Sequence, residues 1–208
     1  MSFIDIARKF AFIHVSKTSS VIEWTWRAAC GVRIAVDESR LFRGGLWLGG
    51  AHDCARDTRR LQPELWAQSF KVGFVRNPWA WWVSAYFWYN PPRHTGFDFL
   101  ARYPTFREFL LRWKEWRLKF PWDGYTGFLC DDDGKIMVDY VGRSERLQQD
   151  FDMICDRVGF PKTTLPRKTD RRNYREFYDG DDLKRIVYHL SGRDIDLFGY
   201  TFDDGGDC

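Results

Sequence analysis

Two short, mostly apolar runs, Phe10–Val15 and Phe70–Val75, each pass into a polar turn and then into a segment with helical spacing. Runs of this length bounded by turn signals read as strands buried on both faces. A third strand is predicted over Val138–Val141. Helices are predicted over Val21–Cys30, Asp57–Gln68 in spite of Pro63, Trp79–Tyr89, Thr105 to about Trp116, Glu145–Val158 and Asp179–Ser191. Asn90-Pro91-Pro92 closes the third of these, residues 93–104 read as a loop, and Thr105-Phe106-Arg107-Glu108 has the form of a capping box. Gly44–Gly50 reads as irregular backbone beside a ligand, and Asp131-Asp132-Asp133-Gly134 as a turn between two strands that lacks the spacing and distal Glu of a calcium loop. Strands alternating with helices predict an α/β fold, a parallel sheet flanked by helices on both faces. The chain is expected to form one domain over residues 1–208, with a frayed tail at 203–208.

The chemistry concentrates at two strand ends. Phe10-Ala11-Phe12-Ile13-His14-Val15 runs into Ser16-Lys17-Thr18-Ser19-Ser20, a strand-to-loop-to-helix passage carrying a lysine, which makes the sheet P-loop-like. Phe74-Val75-Arg76-Asn77-Pro78 is a strand ending in an arginine, then a proline suited to the first helical position, with Ser84 two turns further on. A fixed positive charge, backbone N–H groups at a helix start and a hydroxyl are the parts of a phosphate site. Ligands of such sheets bind beyond the carboxyl ends of the strands, so both turns can face one crevice. Two phosphate-type turns predict a ligand with two separate phosphate groups.

These residues carry a resemblance. The first turn resembles the 5′-phosphosulfate loop of sulfotransferases, usually His-Ile-Pro-Lys-Thr-Gly-Gly-Thr-Ser. The second resembles their 3′-phosphate motif, in which Ser follows the Arg of Arg-Asn-Pro by eight residues, as Ser84 follows Arg76. Gly50-Ala51-His52 before a basic helical segment, Val138–Leu147 and Asp194–Phe202 fall in the same order. Together they resemble the carbohydrate, membrane-type branch (sulfotransferase family 2) over roughly residues 10–202, and five motifs in order are fairly specific. The chain departs from the pattern in two places. Ser19-Ser20-Val21-Ile22 stands where the family has Gly-Gly-Thr-Ser, and Trp79-Ala80-Trp81 where it often has Tyr-Asp-Arg.

The resemblance implies transfer of a sulfuryl group from 3′-phosphoadenosine-5′-phosphosulfate to a hydroxyl of a carbohydrate or similar acceptor, leaving adenosine 3′,5′-bisphosphate. Such a reaction resembles phosphoryl transfer, where positioning and charge neutralisation supply the catalysis. Lys17 is expected to neutralise the leaving phosphate, with Thr18, Ser19 and Ser20 beside it on the nucleotide. His52 is expected to take the acceptor's proton, with His14 and Glu145 as rivals. Arg76 and Ser84 are expected to grip the 3′-phosphate, and Arg143 and Lys168 to add nucleotide contacts. The expected partners are the nucleotide co-substrate and the hydroxyl acceptor. The family needs no metal for the transfer, and the scattered histidines and cysteines lack ligand spacing.

Composition bounds the rest. Net charge is +3, too small for general nucleic-acid binding, although Arg56, Arg59 and Arg60, and later Arg167, Lys168, Arg171, Arg172 and Arg175, form local basic clusters suited to an anion. Most of the 11 Trp lie between Trp66 and Trp122, divided in expectation between core packing and a cleft where rings could stack on a sugar or an adenine. Five cysteines without CxxC spacing, no signal peptide at the first residues and no apolar run of about 18 residues predict a soluble cytoplasmic protein. The resemblance, whose eukaryotic Golgi members carry an N-terminal anchor, implies a bacterial or viral form. Two other readings compete. One is a non-catalytic nucleotide- or glycan-binding protein on a sulfotransferase scaffold. The other is a P-loop kinase, which the absence of G-x-x-x-x-G-K-[ST] disfavours.

Overall fold

A computed structural model describes residues 2–18, 20–30, 54–89, 103–116, 124–166 and 172–204. The chain divides into two compact units, one of residues Met1–Val75 and Tyr125–Arg167, the other of Arg76–Gly124 and Lys168–Cys208.

The first unit holds the sheet. Its strands are β1 (Phe3–Asp5), β2 (Phe10–Ile13), β3 (Phe70–Val75) and β4 (Tyr140–Arg143), in the order β1-β2-β3-β4. β2, β3 and β4 run parallel, with Ile13 opposite Gly73 and Val75 opposite Arg143. β1 is antiparallel to β2, so the sheet is mixed where the sequence predicts a parallel one. The reason is local. Asp5 accepts hydrogen bonds from the Arg8 backbone and guanidinium, and Lys9 takes a φ of 49°, which turns the chain back within a hairpin. The turn Asp131–Gly134 forms as predicted, but it is flanked by a single antiparallel bridge, Cys130 to Ile136, rather than by two strands.

Helices α1 (Ser20–Cys30), α2 (Ala55–Leu61), α3 (Pro63–Gln68) and α7 (Leu147–Val158) belong to this unit. The single helix expected over Asp57–Gln68 is two. Pro63 cannot donate to the preceding turn and clashes with it, so α2 ends at Leu61, Gln62 leaves helical geometry, and Pro63 opens α3. The core packs Phe10, Phe12, Val72 and Phe74 of the sheet against Ile22 and Trp26 of α1 and Phe151 and Ile154 of α7. The Trp26 ring stacks on Phe151 and Phe160, and its indole N–H points at the Cys155 sulfur, 3.4 Å away.

The second unit holds α4 (Pro78–Tyr89), α5 (Phe106–Trp116) and α8 (Asp181–Phe198). The short α6 (Gly124–Leu129) starts at Gly124 of the second unit and continues as Tyr125–Leu129 of the first. The capping box at α5 forms, with the Thr105 hydroxyl and Glu108 carboxylate exchanging bonds with each other's backbone N–H. α8 runs beyond the expected Ser191 to Phe198, through a break in helical geometry at Ser191 itself. α4 is apolar on nearly every side, the signature of a helix enclosed by its neighbours. Trp79, Trp81 and Trp82 are all buried, which answers for these three the question of core or cleft in favour of core. The indole N–H of Trp79 donates to the Lys184 carbonyl and that of Trp82 to the Ser191 hydroxyl. Tyr178 donates to the Trp79 carbonyl at 2.9 Å, and burial raises its phenol well above the ordinary range.

Gly142 faces Phe74 across the β3–β4 ladder, and a Cβ there would stand 2.3 Å from the Phe74 ring. A ring edge in a filled core has little room to yield. Gly142→Ala should therefore destabilise the chain by about 1–3 kcal/mol, read as a lowered urea midpoint with unchanged slope. An unchanged midpoint would mean that the ring has space the packing denies it.

Candidate active site

The register of β2, β3 and β4 brings their carboxyl ends to one edge of the sheet. Each of these ends carries polar or charged residues: Ser16, Lys17 and Thr18 after β2, Arg76 directly after β3 in sequence, and Arg143 as the last residue of β4.

The loop after β2 is tightly tied. The His14 backbone N–H donates to the Ser2 hydroxyl at 2.9 Å, the Thr18 hydroxyl donates to the Val15 carbonyl at 2.8 Å, and the Ser144 hydroxyl donates to the Thr18 carbonyl. Within it, Lys17 takes a φ of 64°. That left-handed conformation costs an L-residue about 1–2 kcal/mol and belongs by default to glycine. A lysine kept there is held by its surroundings, and strain of this kind gathers at ligand clamps and active sites. Thr18 is 1% exposed, its side chain turned into the protein, so its hydroxyl shapes the loop. Ser20 opens α1 and is exposed. Ser19 lies outside the described residues.

At the end of β4 one carboxylate does the bracing. Asp150, 3% exposed, accepts from the Arg143 backbone N–H at 2.6 Å and from the Tyr140 hydroxyl at 2.9 Å, and pairs with Arg146 at 3.0 Å. The pairing raises the Arg146 guanidinium above its ordinary range; burial, then Asp150, raises the Tyr140 phenol. Sequence reasoning misses Asp150. Its signal is an acidic residue in the first turn of a helix that follows a strand ending in arginine.

Arg76, Ser84 and α4 belong to the second unit. Arg76 is 7% exposed and Ser84 half-buried. The helix start differs from the expectation that its N–H groups await an anion. The Asn77 side-chain oxygen accepts from Trp79 N–H at 3.0 Å and Ala80 N–H at 3.3 Å, the Asn77 carbonyl accepts from Trp81 N–H, and Pro78 has no N–H. Asn77 thus caps its own helix. Its amide also donates to the Thr201 carbonyl at 2.9 Å, inside the Asp194–Phe202 motif.

His52 and Lys168 lie outside the described residues, as does the Gly44–Gly50 stretch. Of the rival bases, His14 is buried with Nδ1 3.2 Å from the Glu23 carboxylate, and Glu145 sits half-buried in the 3-10 turn Ser144–Arg146. Cys54, two residues beyond His52, donates to Asp57 at 3.3 Å, and burial raises its thiol above the ordinary range. Among the described residues no three His, Cys, Asp or Glu side chains cluster as metal ligands, and no helix is long and apolar enough to cross a membrane.

Removal of the cap should cost stability without touching charge. Asn77→Ala is expected to lose about 1 kcal/mol, seen as a lower melting temperature, and Asn77→Ser to recover part of it. A melting temperature equal to the parent's would show that the cap contributes nothing.

The model described as "Sulfotransferase family" matches residues 51–201. An uncharacterized protein of Archaeoglobus fulgidus is 36% identical over 90 residues, which is 43% of this chain and 67% of that protein. No solved structure matches. The span matched by the family model takes in Arg76, Ser84 and Arg143 and begins after the Lys17 loop. With most of its length covered, including the Arg-Asn-Pro turn and the serine beyond it, the chain belongs to the sulfotransferase family, in its family 2 branch.

Proposed function

We propose that this protein transfers a sulfuryl group from 3′-phosphoadenosine-5′-phosphosulfate to a hydroxyl of a carbohydrate or similar acceptor. The observation that carries the reading is the family match across Arg76-Asn77-Pro78 and Ser84. In the transfer, the acceptor oxygen forms a bond to sulfur as the bond from sulfur to the bridging phosphate oxygen breaks. The acceptor's proton passes to a base, and adenosine 3′,5′-bisphosphate leaves. Lys17 neutralises the charge that grows on the bridging oxygen, supported by its strained, tied loop. Thr18, Ser19 and Ser20 supply the backbone and hydroxyl surroundings of the 5′-phosphate. Arg76 and Ser84 grip the 3′-phosphate, the guanidinium offering two donors in one plane. Arg143 and Lys168 add further nucleotide contacts, and His52 serves as the general base.

A gripped 3′-phosphate makes a direct demand on affinity. Adenosine 3′,5′-bisphosphate should bind tightly and 5′-AMP weakly in titration calorimetry, and Arg76→Ala should lose on the order of 1.5–3 kcal/mol for the bisphosphate alone. If Arg76→Ala binds both nucleotides as the parent does, the 3′-phosphate is held elsewhere. If the parent binds neither, the donor is misassigned.

Kinetics separate the two catalytic residues from mere binding. Lys17→Ala should lower turnover far more than affinity for the desulfated product, because its charge matters most in the transition state. His52→Ala should lower turnover by about 10²–10⁴-fold with nucleotide affinity intact. Equal small effects on turnover and affinity in either variant would remove that residue from the chemistry.

A further inference from the structure

His14 and Glu23 form a buried pair that brackets the loop. His14 comes directly after β2, Glu23 lies in the first turn of α1, and Lys17 lies between them in sequence. His14 Nδ1 stands 3.2 Å from Glu23 Oε2, with the two side chains 9% and 5% exposed. The His14 ring also stacks on Phe12 at 6.0 Å and 20°. A carboxylate taken this far from water is costly unless it is paired and hydrogen-bonded. Well-packed apolar side chains often match such a pair in stability, so stability alone does not account for its presence. What a hydrogen-bonded pair adds is direction: it fixes the distance between the end of β2 and the start of α1. Three further ties, through Ser2, Val15 and Ser144, join the loop to other segments or to itself. Of these four ties, His14–Glu23 is the one that joins the loop's entrance to its exit helix.

We propose that the His14–Glu23 pair is a positioning device. It holds the loop in the shape in which Lys17 takes its left-handed backbone, and so sets where the Lys17 ammonium meets the 5′-phosphate. This role rests on the reading of Lys17 as the residue facing that phosphate. It accounts for a lysine at a position where glycine is the default: the strain at Lys17 needs contacts that over-determine the loop, and this pair spans the strained residue. The role proposed for His14 needs no proton transfer at its ring: Nδ1 meets Glu23 and orients the side chain.

A double-mutant cycle tests the role on the full chain, read as turnover, with the dissociation constant for adenosine 3′,5′-bisphosphate measured beside it. His14→Phe keeps a ring against Phe12 and removes Nδ1. It should lower turnover about tenfold in the parent and by less than about twofold in the Lys17→Ala background, with a smaller effect on the dissociation constant, because a residue that acts through Lys17 has nothing left to position. Glu23→Ala should behave as His14→Phe does. Glu23→Gln, which keeps an acceptor for Nδ1–H, should recover at least about half of that loss. If His14→Phe fails to fold, the two Glu23 variants in the same two backgrounds carry the test. Losses that add fully to that of Lys17→Ala, or no loss at all, overturn the inference while leaving the donor assignment standing. A parent chain that binds no nucleotide overturns the donor assignment first and this role with it.

Discussion

The parallel pairing of β3 between β2 and β4 is the constraint on which everything else in the first unit depends. With Ile13 opposite Gly73 and Val75 opposite Arg143, the three strands end at one edge within a few residues of each other. A shift of one residue would turn Phe12, Val72 and Phe74 away from their present faces and lose the core they share with Trp26 and Phe151. The hydrophobic core therefore fixes the register, and the register fixes where the loop after β2, the arginine after β3 and the arginine ending β4 begin. Gly142 is part of the same arrangement, since the Phe74 ring occupies the place its side chain would take.

Each strand end is then finished by its own polar device. The loop after β2 is tied by hydroxyls from Ser2 and Ser144 and by the His14–Glu23 pair, which together hold Lys17 in a conformation it would not choose. The turn after β3 is finished by Asn77, which satisfies the first turn of α4 with one side chain and reaches Thr201 with the other end of its amide. The end of β4 is finished by Asp150, which collects a backbone N–H, a phenol and a guanidinium. All three arrangements bury polar groups that would be costly unpartnered, and all three place rigid backbone beside a basic residue. Anion-binding side chains gain from such rigidity, because less freedom is left to lose on binding.

The aromatic richness has a more ordinary outcome than its amount suggests. Trp79, Trp81 and Trp82 fill α4, and the indole N–H groups of Trp79 and Trp82 anchor it to α8 within the second unit. This accounts for the replacement of charged residues after Arg76-Asn77-Pro78: α4 is enclosed, and charge there would need partners. By contrast, Trp24 of α1 is 73% exposed and Trp88, near the end of α4, 44%, so burial follows a tryptophan's place in the packing and not its membership of the cluster.

The sequence by itself determined the elements whose cause is local. The apolar runs of β2 and β3, the helix opened by Pro78, the capping box at Thr105–Glu108 and the order of the motifs are all legible without coordinates, because each depends on neighbours within a turn or a strand. Pro63 signals a break as well, but helical periodicity across Asp57–Gln68 masks it, and the non-helical geometry of Gln62 exposes it. Tertiary structure alone decided what depends on partners distant in sequence. That β1 joins the sheet antiparallel, that Asp150 braces Arg143, that Asn77 leaves α4 no N–H to spare in its first turn, and that Glu23 meets His14 are outcomes of packing. A short polar side chain reads the same in sequence whether it faces a ligand, caps a helix or ties a loop. Only burial and the position of its partner distinguish these roles, and both are properties of the folded chain.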